Sequence, residues 1–420
     1  MEWMIRLAEV GLARRLVLTR SASRLFGFFL VTLVGGASTL IALPALTRQY
    51  GAEGWGAIAL GESIGSGIAV LIELGWGLSG PIRVARARGR SRIRQYSTSL
   101  AAKSLAALVL VPLAFLISST IARSYEVEAG LAAAATAASA LSPVWYFVGL
   151  GSPLRILLID SLPRAALVAL AAVALNRGLP LILYPLAFCV ALIISVTVST
   201  VVVGFDWQYI GRLGVRRLVR VLKLQLVAMS ARVASAAYIS LPVTLVGLFA
   251  PAALPVFASA ERLQRLVLTM LQIGPSFLQG WVGKGSGKKE RSVRARKAFD
   301  LSLVTGAVAG ISFMLAAPYV SSVLFSHEAT TSFGLTVVCG LVILCTCTSR
   351  ALGGIVLVVQ QRIGAVARSA VAGLVVGIPA IVLLSREFGA VGALWGEVAA
   401  ELVVLSVQAA AWRDVATTRK

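Results

Sequence analysis

Residues 38–88 read STLIALPALTRQYGAEGWGAIALGESIGSGIAVLIELGWGLSGPIRVARAR. This is the end of one apolar helix, a short polar turn, a complete second apolar helix and a run of arginines. Glu62 and Glu73 stand inside the second apolar run, eleven residues apart and hence on one helix face. Gly61 and Gly65 have the small-xxx-small spacing that lets two membrane helices approach closely. The arrangement recurs. Leu43-Pro44 lies 198 positions before Leu241-Pro242, and Glu62 lies 199 before Glu261. The recurrence predicts two similar halves of about six helices each.

The rest of the chain has the same character. Its 420 residues are 58% apolar and 13% charged, with a mean hydropathy of +0.89. A soluble domain carries roughly 25% charged residues. The composition therefore predicts an all-α polytopic membrane protein. Twelve stretches are long and apolar enough to span: 25–47, 56–79, 98–121, 130–150, 156–175, 180–203, 223–248, 253–281, 299–325, 332–359, 364–384 and 391–411. They divide into an N-lobe, 25–203, and a C-lobe, 223–411, joined by a basic linker at 204–222. Residues 1–24 set Trp3, Ile5, Leu7, Leu12 and Leu16 among arginines, the pattern of an amphipathic cytoplasmic segment, and 412–420 form a cytoplasmic tail.

The net charge of +22 would suggest nucleic acid in a soluble protein, but its distribution excludes that partner. With both termini inside, the cytoplasmic segments hold 30 of the 39 lysines and arginines. The outer loops hold only Arg48, Arg123, Arg177 and Arg386. The asymmetry follows the positive-inside rule and predicts a multi-pass protein of the cytoplasmic (inner) membrane. The basic loop 282–298 is expected to be solvated and to face anionic membrane lipids. Cys189, Cys339, Cys345 and Cys347 all lie in apolar runs and read as small buried residues; no metal site is expected. His327, the only histidine, has no catalytic company.

Charges at bilayer depth cost about 2.5–3.5 kcal/mol each and need a partner or a wet cavity. Asp160 and Arg164 are four apart, as are Glu261 and Arg265, so each couple can form an intrahelical ion pair. Arg232 has no partner within a turn and reads as a cavity residue; Arg350 can equally snorkel to the inner interface. Glu397 and Glu401 are also four apart but of like charge. Facing one low-dielectric cavity they suit a proton or sodium site; the alternative is separate pairing with arginines on other helices. Of the two early glutamates, Glu73 reads as solvated and Glu62 as the better ion-coupling and inter-lobe candidate.

Three segments carry a resemblance. TLIALPALTRQYGAEGWGAIALGESIGSGIAVLIELGWG, PVWYFVGLGSPLRILLIDSLPRAALV at 143–168 and EFGAVGALWGEVAAELVVL at 387–405 resemble the polysaccharide (O-antigen-type) flippases of the multidrug/oligosaccharidyl-lipid/polysaccharide (MOP) exporter superfamily. The resemblance implies a two-lobed, MATE-like alternating transporter, not an enzyme. It would move an isoprenoid diphosphate-linked oligosaccharide across the membrane, driven by a proton or sodium gradient and without a cofactor. A polysaccharide polymerase and export proteins would be its partners. Arg164, Arg232, Arg262 and Arg265 are then candidates to hold the diphosphate, because guanidinium forks match its oxygens. Glu62, Glu397 and Glu401 are candidates for ion coupling. A multidrug or other lipid exporter of the superfamily is the alternative. An integral-membrane glycosyltransferase or polymerase would need a large outer loop or a carboxylate-rich cytoplasmic motif, and the sequence has neither.

Overall fold

The computed structural model describes residues 2–211, 240–272, 278, 281–282, 287–325, 329–358 and 362–417, excepting the side chains of 2–25, 37, 39, 288–289, 363 and 414–417. Arg232, His327 and most of both the basic linker and the seventh expected span lie outside the described residues.

Among the described residues the chain is helical, without strands. The helices are α1 (Glu2–Glu73), α2 (Trp76–Arg86), α3 (Arg90–Ile121), α4 (Glu126–Ala138), α5 (Val144–Gly149), α6 (Pro153–Asn176), α7 (Leu183–Val203), α8 (Trp207–Gly211), α9 (Ser240–Phe249), α10 (Leu254–Leu271), α11 (Lys288–Leu324), α12 (Phe333–Ala351) and α13 (Ile363–Thr417). Eight helical stretches among the described residues are long and apolar enough to cross a membrane. Two of these hold two spans each: α1 breaks at Gly51 (φ 64°) and α13 at Gly389 (φ 58°). Both bends need the left-handed φ that glycine adopts without a Cβ clash. Helix α10 has a span's length but carries Glu261, Arg262 and Arg265, which dilute its apolar character. The described residues thus contain eleven of the twelve expected spans and, in α9, the end of the seventh.

Two helices widen locally to a π-turn. In α6 the turn Leu157–Ser161 precedes Pro163, which has no N–H to continue the ladder. The end of α12 continues as a π-helix over Leu352–Leu357, which holds Gly353 and Gly354.

The structure corrects three boundaries. The second span was expected to reach residue 79, but α1 stops at Glu73. Leu74 (φ 51°) and Gly75 (φ 72°) turn the chain into the separate helix α2. The third span was expected to begin at residue 98, with the basic residues up to Lys103 counted as cytoplasmic, but with no breaker after Gly89 the helix α3 already starts at Arg90, and Lys103 is buried. The loop 282–298 is helical from Lys288 onward. Its residues are good helix formers, Glu290 pairs with Arg294 one turn on, and Arg294 stacks over Trp281.

Two compact units emerge. The first comprises Met1–Ala45, Ile68–Leu113 and Ala134–Ala231; the second comprises Leu46–Gly67, Ala114–Ala133 and Arg232–Lys420. The first has an aromatic core of Trp76, Tyr96, Trp145, Tyr146 and Phe147. In the second, α1 packs on α4 through Gly61. A Cβ there would lie 2.3 Å from Ala129 O and 2.9 Å from Ala132 Cβ. This is the close approach that the Gly61/Gly65 spacing predicts. Gly61→Ala should therefore cost about 1–3 kcal/mol of overpacking. The check is the midpoint of thermal unfolding in detergent, which should fall; an unchanged midpoint would mean that α1 and α4 can separate freely.

Candidate functional site

The second unit encloses a cavity of about 350 Å³ lined by α9, α10, α12 and α13. Three buried carboxylates border it: Glu261, Glu397 and Glu401. The four-residue spacing on α13 does place Glu397 and Glu401 on one face, toward the cavity. Glu401 accepts hydrogen bonds from Thr346 Oγ1 (3.0 Å) and Ser349 Oγ (2.8 Å), both on α12. Glu397 accepts one longer bond, 3.3 Å, from Gln264 Nε2 on α10. Neither makes an ion pair among the described residues. Glu261 pairs with Arg265 one turn further along α10, and both line the cavity. The intrahelical pair and the cavity position thus coexist at Glu261 and Arg265. Arg350 also lines the cavity and donates to Leu268 O at 3.2 Å. Among the described residues the carbonyl oxygens of buried Gln264 and Gln408 find no hydrogen-bond partner. Such a site offers a cation or proton several oxygen acceptors in a low-dielectric interior.

Beside it, still in the second unit, α1 crosses α10. Arg262 NH1 lies 2.8 Å from Glu62 Oε2. Trp55 Nε1 donates to Ser259 Oγ at 3.0 Å, and Ser63 Oγ donates to Ser240 O at 2.5 Å. Gly56 meets Pro255 here; a Cβ at position 56 would lie 3.3 Å from the proline ring. Residues 56 and 255 are 199 apart, the same offset that relates Glu62 to Glu261. Equivalent positions of the internal repeat thus pack against each other.

The first unit buries a second polar group. Asp160, in the π-turn of α6, accepts from Ser142 Oγ (2.9 Å) and Ser195 Oγ (3.0 Å) and lies 3.3 Å from Arg164. Lys103 is 1% exposed, donates to Ala140 O at 2.9 Å and sits 5.5 Å from the centre of the Trp145 ring. Arg164, Arg262 and Arg265 therefore each face a carboxylate, Asp160, Glu62 and Glu261 respectively. Arg164 belongs to the first unit and the other two to the second. Sequence reading missed Lys103, Gln264, Thr346, Ser349 and Gln408. For Lys103 the usable signal was the absence of a helix breaker between Gly89 and Pro112.

No protein-family model and no curated protein matches the sequence. Solved structures do match in fold. The chain is similar to a lipid II flippase, MurJ, in an inward closed conformation, with a TM-score of 0.65 and 13% identity over 93% of this chain and 87% of that one. It is similar to the eukaryotic MATE transporter AtDTX14, with a TM-score of 0.58 and 15% identity over 93% and 95%. It is also similar to an inward-facing multidrug resistance MATE family transporter of the MOP superfamily, with a TM-score of 0.56 and 14% identity over 93% and 95%. The described residues are thus all-helical, and the chain shares the polytopic fold of these MurJ and MATE structures.

Proposed function

We propose that the protein is a membrane flippase that moves an isoprenoid diphosphate-linked oligosaccharide, a polysaccharide repeat unit, across the cytoplasmic membrane by ion-coupled alternating access. The observation that carries this reading is the cavity of the second unit. Two carboxylates without ion-pair partners among the described residues, Glu397 and Glu401, stand at membrane depth beside the Glu261–Arg265 pair. Uncompensated ionisable groups are costly there unless they bind something. The fold shared with MurJ and MATE transporters supports the transport reading.

On this reading Glu397 and Glu401 take the coupling proton or sodium ion. Arg164, Arg262 and Arg265, with Arg232, take the diphosphate. Their carboxylates Asp160, Glu62 and Glu261 compete for the guanidinium forks, which keeps the substrate releasable. The six-helix lobes at 25–203 and 223–411 would alternate about the 204–222 linker, with both termini in the cytoplasm. Among the described residues the cavity lining holds no aromatic side chain, which favours a phosphate-headed substrate over stacked drugs. Polysaccharide polymerase and export proteins would act on the same pathway. The test is deletion followed by identification of the glycan that accumulates on its lipid carrier in the inner leaflet. Accumulation of a defined lipid-linked repeat unit is expected; unchanged lipid-linked glycans in the deletion strain would exclude this substrate.

A further inference from the structure

A second depression lies in the first unit, far along the sequence from the acidic cavity. A groove of about 450 Å³ runs between the N-terminal part of α1 and the start of α6. Its walls are Gly27, Leu30, Pro153, Leu154 and Leu157, and its polar edge is Ser152 and Arg155. The two helices touch tightly at one end, where a Cβ on Gly27 would lie 2.7 Å from Pro153 Cγ. Leu154 is 64% exposed, and its neighbours Phe26 and Leu158 are exposed as well. A surface of this kind faces acyl chains, not water.

Among the described residues the charge at the polar edge is uncompensated: Arg155 is exposed and makes no hydrogen bond or ion pair with any of them. Arg92, on α3, has its Nε tied to Val84 O at 3.1 Å, and its terminal nitrogens make no hydrogen bond among the described residues. Both guanidinium groups lie within electrostatic reach of the Tyr146 phenol. The chain carries no acidic residue between Glu73 and Glu126, nor between Glu128 and Asp160. Asp160 is already engaged by Ser142, Ser195 and Arg164. Arg155 at the edge of an apolar groove, with no ion pair among the described residues and with Arg92 as a second cation of the same unit, is complementary to a lipid that carries a phosphate on an acyl body.

We propose that the groove between α1 and α6 is a binding site for one anionic phospholipid, its phosphate held by Arg155 and Arg92 and its acyl chain laid along Leu30, Leu154 and Leu157. In the topology expected from the basic residues, this end of α6 faces the cytoplasm, so the lipid comes from the inner leaflet. The site is independent of what the transporter carries. It would tether the α1–α6 edge of the first unit to the bilayer while other helices move.

The experiment is native mass spectrometry of the full-length protein, released from detergent after incubation with an equimolar mixture of phosphatidylglycerol and phosphatidylcholine. Wild type should retain one phosphatidylglycerol in preference to phosphatidylcholine. Arg155→Ala should weaken that preference about fivefold, the effect of one surface cation near a lipid phosphate, and adding Arg92→Ala should weaken it roughly 25-fold. Leu30→Trp, which fills the groove and leaves both cations in place, should lower retention of the same single lipid. Any variant with altered elution on size exclusion is replaced by its Lys (for Arg155) or Phe (for Leu30) counterpart. Equal retention of the two lipids by wild type, or an undiminished phosphatidylglycerol preference in the double arginine variant, overturns the site. A polyprenyl diphosphate that occupies the groove where phosphatidylglycerol does not also overturns it, because the site would then belong to the substrate.

Discussion

Replacing Glu397 and Glu401 together with glutamine should abolish gradient-driven transport, by about 100-fold at the upper end of ordinary coupling energies. Both carboxylates border the cavity of the second unit and both are buried. Glutamine keeps the shape and one acceptor oxygen, so insertion and folding should survive. What it loses is the negative charge that attracts sodium, or the site from which a proton is released. The two positions should not be equal. Glu401 is held by two hydroxyl donors at 2.8 and 3.0 Å, which solvate a fixed anion well. Glu397 has one amide donor at 3.3 Å and so retains more capacity to exchange its ion. Glu397→Gln alone should therefore uncouple transport more completely than Glu401→Gln alone. The measurement is flipping of the lipid-linked glycan in proteoliposomes with and without an imposed ion gradient, at matched protein abundance. Wild-type acceleration by the gradient in the double variant would remove both residues from the coupling step.

Why were these two residues legible in the sequence when their partners were not? A like-charge pair four apart in an apolar run is rare and points one way, toward one face of one helix. Thr346, Ser349 and Gln264 carry no such signal. Hydroxyls in membrane helices often bond their own backbone one turn back, as Thr348 does to Leu344 O at 2.7 Å. Only tertiary packing shows that Thr346 turns instead to Glu401, and that Ser349, 3.1 Å from Thr346 O, reaches Glu401 more closely at 2.8 Å. The intrahelical pairs Asp160–Arg164 and Glu261–Arg265 were legible for the same reason as the glutamates: helix geometry alone brings them together. The Glu62–Arg262 contact joins residues 200 apart and is beyond any spacing argument. The internal repeat hinted at it, since it paired the neighbourhoods of Glu62 and Glu261 before any coordinates did. At the level of the fold, composition and span length sufficed for the helices. They failed at Leu74–Gly75 and at Lys288, where hydropathy runs on past a left-handed corner in one case and stops short of a helix start in the other. Lys103 was lost in that second way too. A cation close to a basic loop looks like part of the loop until the helix that buries it is seen to begin at Arg90.

Arg262→Ala should reduce the abundance of folded protein and, with it, transport, because it removes the 2.8 Å ion-pair contact to Glu62. Removing one member of a buried ion pair costs about 3–5 kcal/mol, and the lower end applies here because the two side chains keep 23% and 17% of their surface exposed. The reciprocal change Glu62→Ala should cost a similar amount. The charge-swapped double variant, Glu62→Arg with Arg262→Glu, separates two roles that the contact alone does not distinguish. If the pair serves only to fasten α1 to α10, the swap should restore both thermal stability and flipping to near wild-type levels. If Arg262 also grips the substrate diphosphate, the swap should restore stability but not flipping, because the guanidinium then projects from α1 and a carboxylate stands where the phosphate must bind. The second outcome is the expected one. It follows from the position of Arg262, one residue from Glu261 and three from Arg265, so that a phosphate reaching that turn of α10 meets both guanidinium forks. Full recovery of flipping in the swapped protein, at matched abundance, would reduce Arg262 to a structural fastener and move the diphosphate site elsewhere.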